Sequence, residues 1–378
     1  MSTKKDKFST QDKNFMKLAL NLANARRGLT GNNPSVGCVI VKNNRIISIG
    51  QTGYNGRPHA EHNAILNCSE NLKDSKMYVT LEPCNHYGKS PPCTKNIIRN
   101  KIGEVYYSMD DIDLKVKGKS YSLLKENNIR VKKGLLKKDA ENLYRSYLFN
   151  RKKKLPYVIG KIAVSKNKII YSEISKRITD KTSDKLTHYL RLKSDGIMIS
   201  GKTLNIDNPK LNCRLEGFNQ FSPKRIILDR NLEINLKSYI AKSIKKENTI
   251  IFHNSNDTSK IKLLKKRGTI LIKQSTDKYK NLDLKKILKG LYKMEIRNLL
   301  VEGGDVLTKN FLQKKLFNEF YMFRSSKNLS KNIKHVNFTS FSILNRSFRI
   351  FFRSKFLYLS IDCFIKIVPL FFKSFIFD

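Results

Sequence analysis

Tryptophan is absent from this chain, and acidic side chains are scarce: 31 Asp and Glu stand against 75 Lys and Arg, a formal charge of +44. Such an excess is often the electrostatic footprint of a nucleic-acid binder. Here the cations are spread along the whole length, with no Arg-rich or aromatic-interleaved stripe, and Lys, Asn and Ile abound. Compositional drift, as in an A+T-rich genome, accounts for the charge, and no nucleic-acid partner is expected. The six cysteines, Cys38, Cys68, Cys84, Cys93, Cys213 and Cys363, form no disulfide-like framework. That excludes a small stapled secreted domain and points to a reducing, cytoplasmic setting. Met1 to Gln11 holds no apolar segment of signal-peptide length. An uninterrupted apolar run of about 18 residues, as a membrane span requires, is also missing. The apolar tail Phe348 to Phe377 is broken by Arg353, Lys355, Asp362, Lys366 and Lys373, so buried strands or helix are expected there.

What is present suffices for two domains with ordinary cores: 378 residues, of which 40% are hydrophobic. A helix is expected over Asp12 to Arg27, capped by Ser9 or Thr10 and ended by Gly28. Val36 to Val41 and Arg45 to Ile49 read as a hairpin around Asn43-Asn44. His59 to Cys68 reads as a helix opened after Pro58, Met77 to Leu81 as a strand, Thr94 to Asn100 as a helix and Glu104 to Tyr107 as a strand. A helix around Asp139 to Phe149 and the basic run Arg151 to Lys154 mark a boundary, giving domains at 1–150 and 151–378. Beyond it, strands are expected at Tyr157 to Ala163, Gly196 to Ser200, Arg225 to Leu228, Thr249 to His253, Thr269 to Ile272 and Asn298 to Val301. Helices are expected at Asp180 to Leu192 and Val306 to Lys314. Both halves alternate strand and helix, an α/β pattern.

The informative constellation is His59-Ala60-Glu61, then Glu82-Pro83-Cys84, then Pro92-Cys93. One imidazole and two thiolates suit Zn2+, which favours tetrahedral N/S coordination, and three protein ligands leave a corner for water. Zinc makes that water acidic enough to attack a ring carbon bearing an amino group at neutral pH. Glu61 is the candidate proton shuttle. Positions i and i+2 do not face each other on a regular helix, so His59 must sit where the helix begins. His62 and His86 are the candidate fourth ligands under the alternative of a structural zinc.

The zinc deaminase pattern is H-x-E followed by P-C-x-x-C. This chain instead places eight residues between Cys84 and Cys93. That stretch, Thr80 to Cys93, together with Asn33-Pro34-Ser35-Val36-Gly37-Cys38 upstream, resembles the deaminase of riboflavin biosynthesis over nearly all of residues 10–150. The resemblance implies a cytidine-deaminase-like three-layer domain acting on a small phosphorylated amino-pyrimidine, with Asn33, His86 and Lys89 lining the substrate pocket. The short cysteine spacing of a tRNA-type deaminase, the competing reading, is absent.

The same family commonly carries a reductase of dihydrofolate-reductase-like α/β fold after the deaminase. Pro156 to Ser165, Arg191 to Leu204, Asp207 to Arg214 and Val301-Glu302-Gly303-Gly304 resemble it in order and spacing. The resemblance places NADPH near Val164, Arg177, Thr203, Asp207 and Gly304, and substrate near Ser175, Arg191, Leu211, Arg214 and Glu302. Arg191 and Arg214 suit a substrate phosphate, and Gly303-Gly304 would let a cofactor phosphate approach a helix start. Fused domains of this type often pair, so a homo-oligomer is expected. The chain departs from the family at Asn167-Lys168, where Asp-Gly is usual, and at Arg177, where Trp is usual. From Arg324 onwards no family pattern is found; the tail reads as a diverged closing hairpin or a frame-shifted end. A live deaminase with an inactive reductase domain is the remaining alternative.

Overall fold

A computed structural model of the chain describes residues 8–88, 90–113, 116–173, 178, 180–245, 248–331, 334–340, 348–352 and 364–369. The chain divides into two compact units between Lys154 and Leu155, because the helix that crosses the expected boundary at 150 continues to Lys153.

In the first unit, α1 (Thr10–Arg26) starts at Ser9, whose hydroxyl accepts the Asp12 N–H while the Asp12 carboxylate accepts the Ser9 N–H. This reciprocal capping satisfies two orphan donors. Met16, Ala19, Leu20 and Ala23 form its buried stripe. β1 (Gly37–Lys42) and β2 (Arg45–Gln51) make an antiparallel hairpin. Asn43 and Asn44 turn it at φ +49° and +60°, the left-handed pair that matches strand twist. There follow α2 (Ala60–Leu66), β3 (Lys76–Val79), α3 (Cys93–Arg99), β4 (Glu104–Tyr107), α4 (Lys119–Glu126), β5 (Arg130–Lys133) and α5 (Lys137–Lys153). The sheet order is β2-β1-β3-β4-β5, with β3, β4 and β5 parallel.

Two glycines show that helices cover both faces. A Cβ on Gly37 would meet the backbone of Ala19 in α1, and one on Gly50 the backbone of Ala60 in α2. Gly50 pairs with Cys38, the neighbour of Gly37, so the two glycines face opposite sides of the sheet. The result is three layers. Gly37→Ala is therefore expected to destabilise this unit by about 1–3 kcal/mol, the usual cost of forcing atoms into a packed interior, read as a lower thermal midpoint of the first unit. An unchanged midpoint would mean that α1 stands off the sheet more easily than this close approach implies.

The second unit runs β6 (Tyr157–Val164), β7 (Ile169–Ser172), α6 (Lys181–Leu192), β8 (Gly196–Ser200), α7 (Gly201–Asp207), β9 (Lys224–Leu228), α8 (Tyr239–Lys242), β10 (Thr249–His253), α9 (Thr258–Lys266), β11 (Ile270–Lys273), α10 (Leu284–Lys293), β12 (Asn298–Val301), α11 (Asp305–Gln313), β13 (Glu319–Arg324), β14 (His335–Asn337), β15 (Phe348–Phe352) and β16 (Phe364–Pro369). Its main sheet is ordered β11-β10-β9-β8-β12-β6-β13-β16-β15. It is parallel except where β16 joins β13 and β15 joins β16. The tail thus contributes a pair of antiparallel strands, and among the described residues no helix is long and apolar enough to cross a membrane. β7 and β14 form a separate antiparallel ribbon.

The unusual Asn167-Lys168 turn is accommodated. Lys168 adopts φ +68°, the conformation for which glycine is preferred. Asn167 accepts the Leu329 N–H at 3.0 Å and donates to the Leu329 carbonyl at 2.7 Å.

Candidate active sites

His59 is the residue that precedes α2, with extended backbone (φ −69°, ψ 158°), and Glu61 is in the first helical turn. The bend removes the i, i+2 objection: a non-helical His59 and a helical Glu61 both reach one place. Cys84 lies in the loop after β3, and Cys93 opens α3. His59 Nδ1 lies 3.4 Å from Cys93 Sγ and 3.5 Å from Cys84 Sγ, and all three donor atoms fall within 4.8 Å of one another. A tetrahedral zinc with bonds of about 2.0 Å to nitrogen and about 2.3 Å to sulfur would space N and S about 3.5 Å apart, so the trio fits that ion. Among the described residues no fourth side chain joins the group; His62 instead meets the Asn96 amide at 3.1 Å, and His86 is exposed.

The trio is also electrostatically prepared. The Cys93 thiol and its backbone N–H, the latter at 3.3 Å, both donate to Cys84, which pulls the Cys84 thiol well below its usual range. His59 is raised, chiefly by its hydrogen bond with Cys84. Glu61 is only 4% exposed, and burial pushes its carboxyl up to about 6, a value suited to taking and returning protons near neutrality. It lies in hydrogen-bonding reach of Cys93. Asn33 donates from Nδ2 to the Gly56 carbonyl at 2.9 Å, and Arg57 donates to the Ser90 hydroxyl at 2.5 Å, pinning the loop that carries His86. Glu82 fixes the approach to Cys84: buried, it accepts the backbone N–H groups of Asp111, Gly118 and Ser120. Arg57 did not stand out in the sequence, and Glu82 appeared there only beside Pro83-Cys84 with no role of its own, because both roles depend on loops brought together by the fold. Lys89 lies outside the described residues, as do Ser175 and Arg177.

The second unit holds a cavity of about 480 Å³ beside the ends of β6, β8 and β12. Thr203, Asp207, Arg214, Glu302 and Gly304 all line it, and so do Ser200, Lys202, Gly303 and Asp305. Val164 and Leu211 do not; both are buried, Leu211 with left-handed backbone at φ +57°. Arg191 is already paired within the fold. Its guanidinium grips Glu302 with two bonds, 2.8 Å from Nε and 3.0 Å from a terminal nitrogen, and donates to the Asn212 carbonyl at 3.1 Å. With its fork engaged, Arg191 orients Glu302, and Arg214 is the arginine left facing the cavity. Glu302 is held below its ordinary value against the opposing effect of burial, by Arg191 and Lys161.

Lys161 is the residue the sequence reading passed over. It stands in the middle of β6, lines the cavity, and is pulled below the ordinary lysine value by burial, with Glu302 acting against that. A single lysine inside the otherwise apolar strand Tyr157–Val164 is a signal in itself, since lysine is rarely buried without a partner.

A three-layer unit with a zinc-type His-Cys-Cys trio, followed by a parallel-sheet unit with a polar cleft at its strand ends, defines a zinc deaminase fused to a reductase. Comparison with known proteins agrees. The cytidine and deoxycytidylate deaminase zinc-binding region matches residues 9–109, and the RibD C-terminal domain matches residues 156–329. The riboflavin biosynthesis protein RibD of Aquifex aeolicus is 34% identical over 324 residues, covering 85% of this chain and 89% of its own. That of Actinobacillus pleuropneumoniae is 34% identical, covering 84% of each. The solved Acinetobacter baumannii RibD superposes with a TM-score of 0.80 at 28% identity, over 95% of this chain and 99% of its own. The chain belongs to the RibD family, the bifunctional deaminase–reductases of riboflavin biosynthesis.

Proposed function

We propose that the first unit deaminates a diaminohydroxyphosphoribosylaminopyrimidine and that the second reduces the resulting 5-amino-6-(5-phosphoribosylamino)uracil, the two activities named for the Thermotoga maritima structure that superposes at a TM-score of 0.78 and 29% identity. The observation that carries this reading is the N/S trio at tetrahedral spacing with a buried carboxylate beside it. His59, Cys84 and Cys93 would hold zinc, which would supply an activated water. Glu61 would take a proton from that water as the C–O bond forms and pass it to the ring nitrogen, then take the hydroxyl proton of the adduct and give it to the amine, which leaves as ammonia as the C–N bond breaks. Asn33, His86 and Lys89 hold the substrate.

In the second unit NADPH supplies the hydride. Thr203, Asp207 and Gly304 would hold the cofactor, and the start of α11 would take its diphosphate. Five other helices of this unit are capped by Asp180, Ser200, Ser238, Asp257 or Asp283, whereas no side chain caps α11. Its first N–H groups are therefore available to an anion. Arg214, which lines the cavity, would face the substrate phosphate. Lys161, beside Glu302, donates the proton that accompanies hydride addition to C1′ of the opened ribose.

The purified chain is expected to release ammonia from the phosphorylated diamino-pyrimidine without NADPH, and to oxidise NADPH only with the deaminated product. Absence of that oxidation would remove the reductase assignment, and absence of ammonia release would remove the deaminase assignment.

A further inference from the structure

The RibD C-terminal match ends at residue 329, yet the chain beyond it returns to the reductase cavity. Val336 of β14 lines the cavity together with Ile170 and Tyr171 of its partner β7. Phe338 is buried in the core of the unit, and its N–H donates to the Lys168 carbonyl at 2.8 Å. The next two residues hold Asp305, the first residue of α11. Asp305 Oδ1 accepts the Thr339 N–H at 2.8 Å and the Ser340 hydroxyl at 3.3 Å, and Oδ2 accepts the Thr339 hydroxyl at 2.6 Å. Ser340 is completely buried, while Thr339, which makes the two shorter bonds, stands at the surface.

Asp305 lines the same cavity as Gly304 and Val306. A carboxylate at the first helical position is the natural acceptor for the unfilled N–H groups of α11. Left free, it would occupy them and repel a phosphate arriving at the same place. We propose that Thr339 and Ser340 clasp Asp305 as a positioning device. The clasp holds the carboxylate on the 339–340 segment, keeps the helix start available to the cofactor diphosphate, and fixes the β7–β14 ribbon as the cavity wall. This rests on the reading of α11 as the diphosphate site.

The test is the affinity of the full-length chain for NADPH, followed by nicotinamide fluorescence, with thermal unfolding of the cofactor-free protein as the control for folding. Thr339→Val is expected to raise Kd about fivefold, in keeping with one charge at a helix terminus, while Thr339→Ser, which keeps the hydroxyl, binds like the parent. Asp305→Asn, without the charge, is expected to bind within about twofold of the parent, and to restore binding when combined with Thr339→Val. A double variant as weak as Thr339→Val, or a Thr339→Val variant with parental Kd, overturns the clasp. Gly304→Glu tests the underlying reading separately. A Cβ there has nothing nearer than Thr203 Oγ1 at 3.8 Å, so the side chain is accommodated and puts a fixed carboxylate at the helix start. Loss of NADPH binding is expected; parental binding would mean that the diphosphate lies elsewhere, whatever the clasp variants do.

Discussion

Glu61→Gln is expected to keep zinc and to lose deamination by roughly 10²–10⁴-fold, the range for a positioned general acid–base. The substitution preserves shape in a site where only 4% of the residue is exposed, and it leaves His59, Cys84 and Cys93 in place. It removes the buried carboxylate in reach of Cys93, and an amide cannot shuttle protons. Metal content of the purified variant, measured alongside ammonia release, separates the outcomes. Loss of zinc together with unfolding would make Glu61 a structural residue; full turnover would require another proton carrier. Reduction of the deaminated product by the second unit is expected to continue.

Lys161→Met is the complementary experiment. Methionine retains much of the aliphatic stem along β6, and Glu302 keeps its two-bond grip from Arg191, so the carboxylate is not left unpaired. NADPH oxidation with the deaminated product is expected to fall by about 10²-fold or more, while ammonia release stays unchanged. If oxidation persists at the parental rate, Lys161 is an ordinary half-buried cation and the proton comes from elsewhere.

The deaminase site was legible because its signal is local. His59 and Glu61 flank a helix start announced by Pro58, and the paired Asn43-Asn44 turn and the strands Glu104–Tyr107, Thr249–His253 and Asn298–Val301 follow short-range chemistry. What stayed hidden depends on partners far along the chain. Nothing in Arg130–Lys133 announces a strand; three of its four residues are basic, as suits the edge of a sheet. The sequence carries no sign that Arg191 pairs with Glu302, 111 residues away. The cavity wall at Val336 requires the β7–β14 pairing, and Phe338 and Ser340 carry no pattern of their own. The resemblance supplied the reductase, but it stopped short of the segment that closes over Asp305.

Each side of the Lys154–Leu155 division carries its own apolar cluster, one around Met16, Val39 and Tyr78, the other around Ile226, Leu299 and Phe320. Damage is thereby compartmentalised. An inherited lesion that melts one half need not silence the other, so selection can act on the two catalysts one at a time even though a single reading frame encodes both.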